Sequence, residues 1–214
     1  MNSDPHGKQT TVQAGTPLAD AEGAMILLHG RGATAADILG LGQVLAPANW
    51  ALLAPKAAEH SWYPYSFLAL RAENEPHLSS ALLRVKAALE AALMAGIAAD
   101  KVVLAGFSQG ACLATEFVGR HPQRYGALLA FTGGLLGPPD QPIQLAGDLG
   151  GTPVLLTSGD PDPHVPWARV EQSAALLESI GARVTLRRYP GRPHTITPAE
   201  IATAKAVLAG QRSV

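Results

Sequence analysis

Val102-Val103-Leu104-Ala105-Gly106-Phe107-Ser108-Gln109-Gly110 carries four apolar residues into a Gly-x-Ser-x-Gly corner, out of which a helical pattern runs to about Arg120. A short apolar run bounded by turn residues fits a strand buried on both faces. The corner needs small residues where the chain approaches itself, holds Ser108 in a strained backbone conformation and pushes its Oγ into the open. It also leaves the Gln109 N–H at a helix N-terminus without an intrahelical acceptor, free to meet a developing oxyanion. An ordinary glycine-bounded loop can carry the same letters, so the flanking sequence has to decide.

On either side, strands and helices alternate. Apolar runs at Ala24–Leu28, Ala51–Ala54, Val102–Ala105, Ala127–Phe131 and Val154–Thr157, with the more polar Arg183–Tyr189, read as strands. Leu78, Leu82, Val85, Leu89 and Leu93 fall on one face of a helix that begins near Pro76, and Gly181 suits the end of a helix over about 166–180. Thr34 with Asp37, and Thr197-Pro198-Ala199-Glu200, are helix starts. This alternation implies an α/β fold: a mostly parallel sheet in one domain, residues 23–214, with helices on both faces. Residues 1–22 form a polar lead-in, either an edge hairpin or a mobile arm. Residues 57–75 break the alternation as an aromatic-rich insertion.

The composition excludes other classes. The 214 residues are 47% hydrophobic and 15% charged, with net charge −1, so the chain is neither disordered nor equipped with a basic field for nucleic acid. No apolar run reaches the roughly 20 residues of a membrane span, and the polar N-terminus lacks the apolar core of a signal peptide. Cys112 is the only cysteine, so no internal disulfide can form. A cytoplasmic protein without stable membrane insertion is expected, with a homodimer through the insertion or an edge strand as one possibility.

A nucleophilic serine needs a base, and the base needs an orienting acid, here in the order Ser, acid, His. Ser158-Gly159-Asp160-Pro161-Asp162-Pro163-His164 follows the fifth run with two candidate acids, Asp160 and Asp162. Pro190-Gly191-Arg192-Pro193-His194 follows the last run and makes His194 the favoured base. His6, His77, His60 and His121 read as solvated or structural, and His164 as a neighbour of the acid. Leu27-Leu28-His29-Gly30-Arg31-Gly32 ends the first run in a corner that can turn the Arg31 N–H toward Ser108 beside that of Gln109, with His29 holding the loop. Gly30-x-Gly32-x-x-Ala35 also fits a dinucleotide fingerprint, but Leu53-Ala54-Pro55-Lys56 lacks the ribose-binding acid. No cofactor and no metal site are expected. Cys112 reads as core, and the Arg31 side chain either as a solvated loop group or as an attractor of an acidic group on a substrate. Trp62, Tyr63, Tyr65 and Phe67, with Val165, either wall a substrate pocket or pack the insertion onto the body.

Taken together, His29-Gly30-Arg31-Gly32, Gly106–Gly110, Asp162-Pro163-His164-Val165-Pro166 and His194 with Glu200 resemble the phospholipase/carboxylesterase family of α/β-hydrolases over about residues 24–210. The resemblance selects Asp162 as the acid. It implies a Ser108–His194–Asp162 triad, an oxyanion hole from the Arg31 and Gln109 N–H groups, no cofactor and a small-molecule ester substrate. The corner Arg31-Gly32-Ala33-Thr34 and the run Ser61–Phe67 look more like bacterial small esterases, acting on short-acyl or aryl esters, than like protein-deacylating thioesterases.

Overall fold

The expected strands join with one more in a single sheet in the computed structural model, which describes residues 4–210. The strands are β1 Thr11–Gly15, β2 Gly23–Leu28, β3 Trp50–Pro55, β4 Val102–Phe107, β5 Ala127–Phe131, β6 Pro153–Asp160 and β7 Arg183–Pro190. Across the sheet they run β1-β3-β2-β4-β5-β6-β7, all pairs being parallel except β1 with β3. Five helices cover it: α1 Ala35–Leu45, α2 His77–Met94, α3 Gln109–Arg120, α4 Trp167–Ser179 and α5 Pro198–Leu208. Residues 1–3 of the lead-in and 211–214 of the expected domain lie outside the described residues.

Strand β2 shows why the central runs are continuously apolar. Ala24, Ile26 and Leu28 point into a core under α2, α3 and α4, while Met25 and Leu27 point into a second core under α1 and α5. Both faces are dry, so no position tolerates a polar side chain. Edge strand β7 is mostly half-exposed, which accounts for its polar composition. Among the described residues, no helix is long and apolar enough to cross a membrane.

Helix ends follow their local signals. Thr34 and Thr197 both form capping boxes, with Asp37 and Glu200, and Pro198 occupies the first turn of α5. Gly181 adopts φ +84° just past α4 and returns its N–H to the Glu178 carbonyl. One apolar residue departs from its expected face: Leu93 is 40% exposed, while Ala81, Ala88 and Ala92 are buried. Successive four-residue steps advance slightly past a full turn, so the last one carries Leu93 off the stripe.

The lead-in is not separate from the sheet. β1 lies within it and pairs with β3, from Thr11 opposite Pro55 to Gly15 opposite Ala51, so it is neither a mobile arm nor a hairpin with β2. Its half-buried, short pattern is that of an edge strand, which sequence periodicity marks weakly. His6 is fully buried, with its backbone N–H on Ser80 Oγ. Its Nδ1 accepts the Ala58 N–H at 2.9 Å, so the proton sits on Nε2 and is donated to the Trp62 carbonyl at 2.9 Å. His29 accepts the neighbouring Ala57 N–H at Nε2 and donates from Nδ1 to the Gly30 carbonyl.

Both rings therefore hold the insertion only while neutral. Burial is the main cause holding each below the ordinary histidine pKa of 6.5; carbonyl hydrogen bonds to Trp62 and Gly30 offset part of this. As pH falls through 6.5 the unfolded chain takes up protons first, so stability is complete above that pH and declines below it. The urea midpoint is expected to be lower at about pH 5.5 than at about pH 8. His6→Gln should show a smaller difference between the two, and an undiminished difference would exclude His6 as a contributor.

Candidate active site

The corner after β4 is shaped by what it lacks. A Cβ on Gly106 would come within 2.5 Å of the Gly110 carbonyl carbon, and one on Gly110 would overlap the Leu28 carbonyl at the end of β2. Only glycine lets α3 start this close to the sheet. Between the two glycines Ser108 takes φ 55°, ψ −120°, a conformation that non-glycine residues rarely adopt, and its N–H is anchored on the Phe131 carbonyl at 3.0 Å.

The ends of β6 and β7 bring the acid and base to it. Ser108 Oγ lies 2.8 Å from His194 Nε2, and His194 Nδ1 lies 2.9 Å from Asp162 Oδ2. The carboxylate can only accept, which places the imidazole proton on Nδ1 and leaves Nε2 to receive the serine hydroxyl. Asp162 has no exposed side-chain surface, and its Oδ1 accepts the N–H groups of His164 and Val165 at 2.9 and 3.0 Å. Burial pushes its pKa up, but hydrogen bonds from His194 and these two N–H groups outweigh that and hold it below the usual carboxylate value. Asp160 is turned away and paired with Arg188 on β7. His164 sets its ring edge-on to His194 with centroids 4.9 Å apart, as a neighbour rather than a second base.

The N–H groups of Arg31 and Gln109 meet no acceptor among the described residues. Their side chains do something that sequence reasoning missed: both fasten the insertion. Gln109 accepts the Trp62 N–H at 2.9 Å and donates to the Tyr63 carbonyl at 2.8 Å, and Arg31 donates to the carbonyls of Pro64 and Tyr65 at 2.8 and 2.7 Å. The His60 carbonyl completes the corner by accepting the Gly32 N–H at 2.8 Å. Arg31 is thus an exposed loop arginine, as expected, that also acts as a clamp.

A cleft of about 480 Å³ opens over Ser108, with Tyr63, Tyr65, Phe67 and Val165 in its walls. Trp62 is not among them. It is fully buried and gives its indole N–H to the His29 carbonyl at 2.9 Å, because a buried indole needs an acceptor and the loop after β2 supplies one. Cys112 reaches the cleft floor, but burial pushes its thiol to about 12, so it is not a thiolate there. Among the described residues no three His, Cys, Asp or Glu side chains converge as around a metal ion.

A family model described as Phospholipase/Carboxylesterase matches residues 11–210. The chain belongs to the phospholipase/carboxylesterase family. A solved structure of a phospholipase/carboxylesterase from Dyadobacter fermentans is 43% identical, covers 94% of this chain and 97% of that one, and superposes with a TM-score of 0.90. Acyl-protein thioesterase 1 of Gibberella zeae is 32% identical over 54% of this chain and 50% of that protein. A probable carboxylesterase, SOBER1-like, of Arabidopsis thaliana is 28% identical over 66% of this chain and 55% of that protein. The match therefore spans about half the length of these two curated relatives.

In this member of the phospholipase/carboxylesterase family a buried ion pair braces the His194 loop, and it too was missed. Arg192, only 6% exposed, donates to the carbonyls on either side of His194, those of Pro193 and Thr195, and to Thr132 Oγ1 at 2.5 Å. Its Nε lies 3.5 Å from Glu200, which is fully buried and also accepts from Thr157 at 2.6 Å. The guanidinium so links the ends of β5, β6 and β7. Removing one partner of a buried pair strands the other, so Arg192→Met is expected to lower the unfolding free energy by about 3 kcal/mol in urea titrations. Adding Glu200→Gln should recover part of that loss; a double variant weaker than Arg192→Met would reject the pairing.

Proposed function

We propose that the chain is a carboxylic ester hydrolase in which Ser108, His194 and Asp162 act as a triad on short-acyl or aryl esters. What carries this reading is the hydrogen-bonded line Ser108 Oγ, His194 Nε2, His194 Nδ1, Asp162 beside two N–H groups without acceptors. In the proposed cycle His194 takes the proton of Ser108 as Oγ attacks the ester carbonyl, and the tetrahedral oxyanion rests on the Arg31 and Gln109 N–H groups. His194 then protonates the departing alcohol, and with His194 again as base, water hydrolyses the acyl-serine. Asp162, held ionised by its three donors, orients the imidazole and balances its charge. No step calls for a metal or cofactor.

The family and the named carboxylesterase and thioesterase relatives support ester or thioester hydrolysis in general. The finer choice of a small ester rests on the modest cleft and its aromatic walls. Thioesters are the second reading, favoured by the name of the Gibberella zeae relative.

Ser108→Ala is expected to lower kcat for p-nitrophenyl acetate by on the order of 10⁴ or more and to abolish labelling by a fluorophosphonate probe. Retention of most of the activity would reject the triad. The acid is tested separately: Asp162→Asn should lose on the order of 10⁴ in kcat, whereas Asp160→Asn should stay near wild type. The reverse order would reassign the acid. A panel of matched oxygen esters and thioesters, read as kcat/KM, decides between the two readings.

A further inference from the structure

The cleft is not the only space at His194. A second pocket of about 290 Å³ lies beside it, lined by His194 but not by Ser108, and shares Gly30, Ala33, Phe107 and His194 with the main cleft. Its apolar walls are Ile38 and Leu41 of α1, Phe107 and Ile196, with Asp37, His29 and Thr195 as further polar lining. We propose that this pocket holds the alcohol part of the ester, and that the preferred alcohol is an uncharged apolar one, alkyl or aryl. This rests on the triad reading above and adds to it a direction and a class of leaving group.

The direction follows from where the proton goes. As Ser108 Oγ bonds to the acyl carbon, the carbon–oxygen bond to the alcohol breaks, and the proton taken from Oγ passes from His194 Nε2 to the departing oxygen. The acyl carbon stays with Ser108 and the two N–H groups, which lie in the main cleft with Tyr63, Phe67 and Val165. The alcohol oxygen must lie within reach of Nε2, and the space beside His194 that lacks the serine is the second pocket.

The class follows from the walls. Ile38, Leu41, Phe107 and Ile196 carry no polar side-chain atom, and the last three are only partly buried, so an alkyl or aryl group covering them removes apolar surface from water. Asp37 is the charged group at this edge. Hydrogen bonds from the Thr34 hydroxyl and N–H hold its pKa below the usual value, so it is an anion at neutral pH. Arg31, the cation nearest in sequence, lies in the main cleft and is spent on the Pro64 and Tyr65 carbonyls. An anionic alcohol therefore meets repulsion with no compensating partner.

The test varies each side of the ester alone: ethyl, butyl, hexyl and benzyl acetate against ethyl butanoate and ethyl hexanoate, with proton release as the readout. In wild type kcat/KM should rise from ethyl to hexyl acetate, and the acetate ester of glycolate should be about tenfold poorer than ethyl acetate. Leu41→Ser with Ile196→Ser should lower the kcat/KM ratio of hexyl to ethyl acetate about tenfold while the ratio of ethyl hexanoate to ethyl acetate shifts by less than about twofold. Asp37→Asn, whose amide oxygen still accepts from Thr34, should narrow the glycolate gap. A loss confined to ethyl hexanoate would put the acyl chain in this pocket and overturn the proposal, as would variants that leave both series unchanged. If the double variant folds poorly, shown by slow fluorophosphonate labelling, wild type decides: no rise with alcohol length also overturns it. Failure of the triad reading looks different, because Ser108→Ala would then hydrolyse every ester as wild type does.

Discussion

The crossing of the β4–α3 corner over the end of β2, with no side chain between them, is the constraint on which the rest depends. Gly106 and Gly110 allow that contact, and their closeness leaves Ser108 no ordinary conformation to adopt. In the proposed reaction the strain has a chemical return: it sets Oγ 2.8 Å from His194 Nε2, beside the Gln109 N–H that opens α3. The corner is kept from relaxing by the bond from the Ser108 N–H to the Phe131 carbonyl, which ties it to the neighbouring strand. Because β2 is the strand crossed, the loop that leaves β2 arrives beside the serine, and the Arg31 N–H arrives with it.

The insertion explains how so open a corner stays ordered. Stretch 61–65 contributes backbone groups that need partners, and it finds them in the side chains of the two residues whose own N–H groups have no acceptor among the described residues. Under the proposed mechanism one residue does two jobs with different atoms: the Gln109 N–H serves the oxyanion, and the Gln109 amide holds the wall. His6, His29 and Trp62 back this layer from beneath as a buried polar chain that is satisfied only with both imidazoles neutral. Wall and oxyanion corner are therefore one mechanical unit, and a change in either is felt by the other.

Much of this was legible because the signals are local. Continuous apolar runs marked five strands, the more polar Arg183–Tyr189 a sixth, and the capping boxes at Thr34 and Thr197 are contained within four residues each. The glycines around Ser108 and the loops before Asp162 and His194 mark strand ends by their own backbone demands. What sequence reading missed involves distant partners. Arg31 and Gln109 clamp carbonyls and N–H groups 33 to 47 positions away, and main-chain acceptors leave no trace in residue type. Glu200 was readable as a cap, but its pairing with Arg192 and Thr157 needs the β6, β7 and α5 ends to be assembled first. Trp62 among tyrosines reads as pocket lining or as packing alike, and only its buried indole N–H settles that it props the corner.

The choice between Asp160 and Asp162 shows how the sheet itself selects a functional group. Strand β6 pairs with β7 as far as Asp160 opposite Pro190, so Asp160 is still a strand residue, and its side chain is committed to Arg188 on the neighbouring strand. Asp162 lies two residues further, free of the ladder and in a loop whose next two N–H groups fold back onto its own carboxylate. Those two bonds matter because a buried carboxylate left alone would become neutral rather than remain an anion. With them in place, and with His194 as third donor, the charge survives burial. A neutral acid would still accept a hydrogen bond from the imidazole, but it could not balance the imidazolium that forms when the serine is deprotonated. The local turn that follows Asp162 is thus what suits it, under the proposed mechanism, to be the acid of the pair.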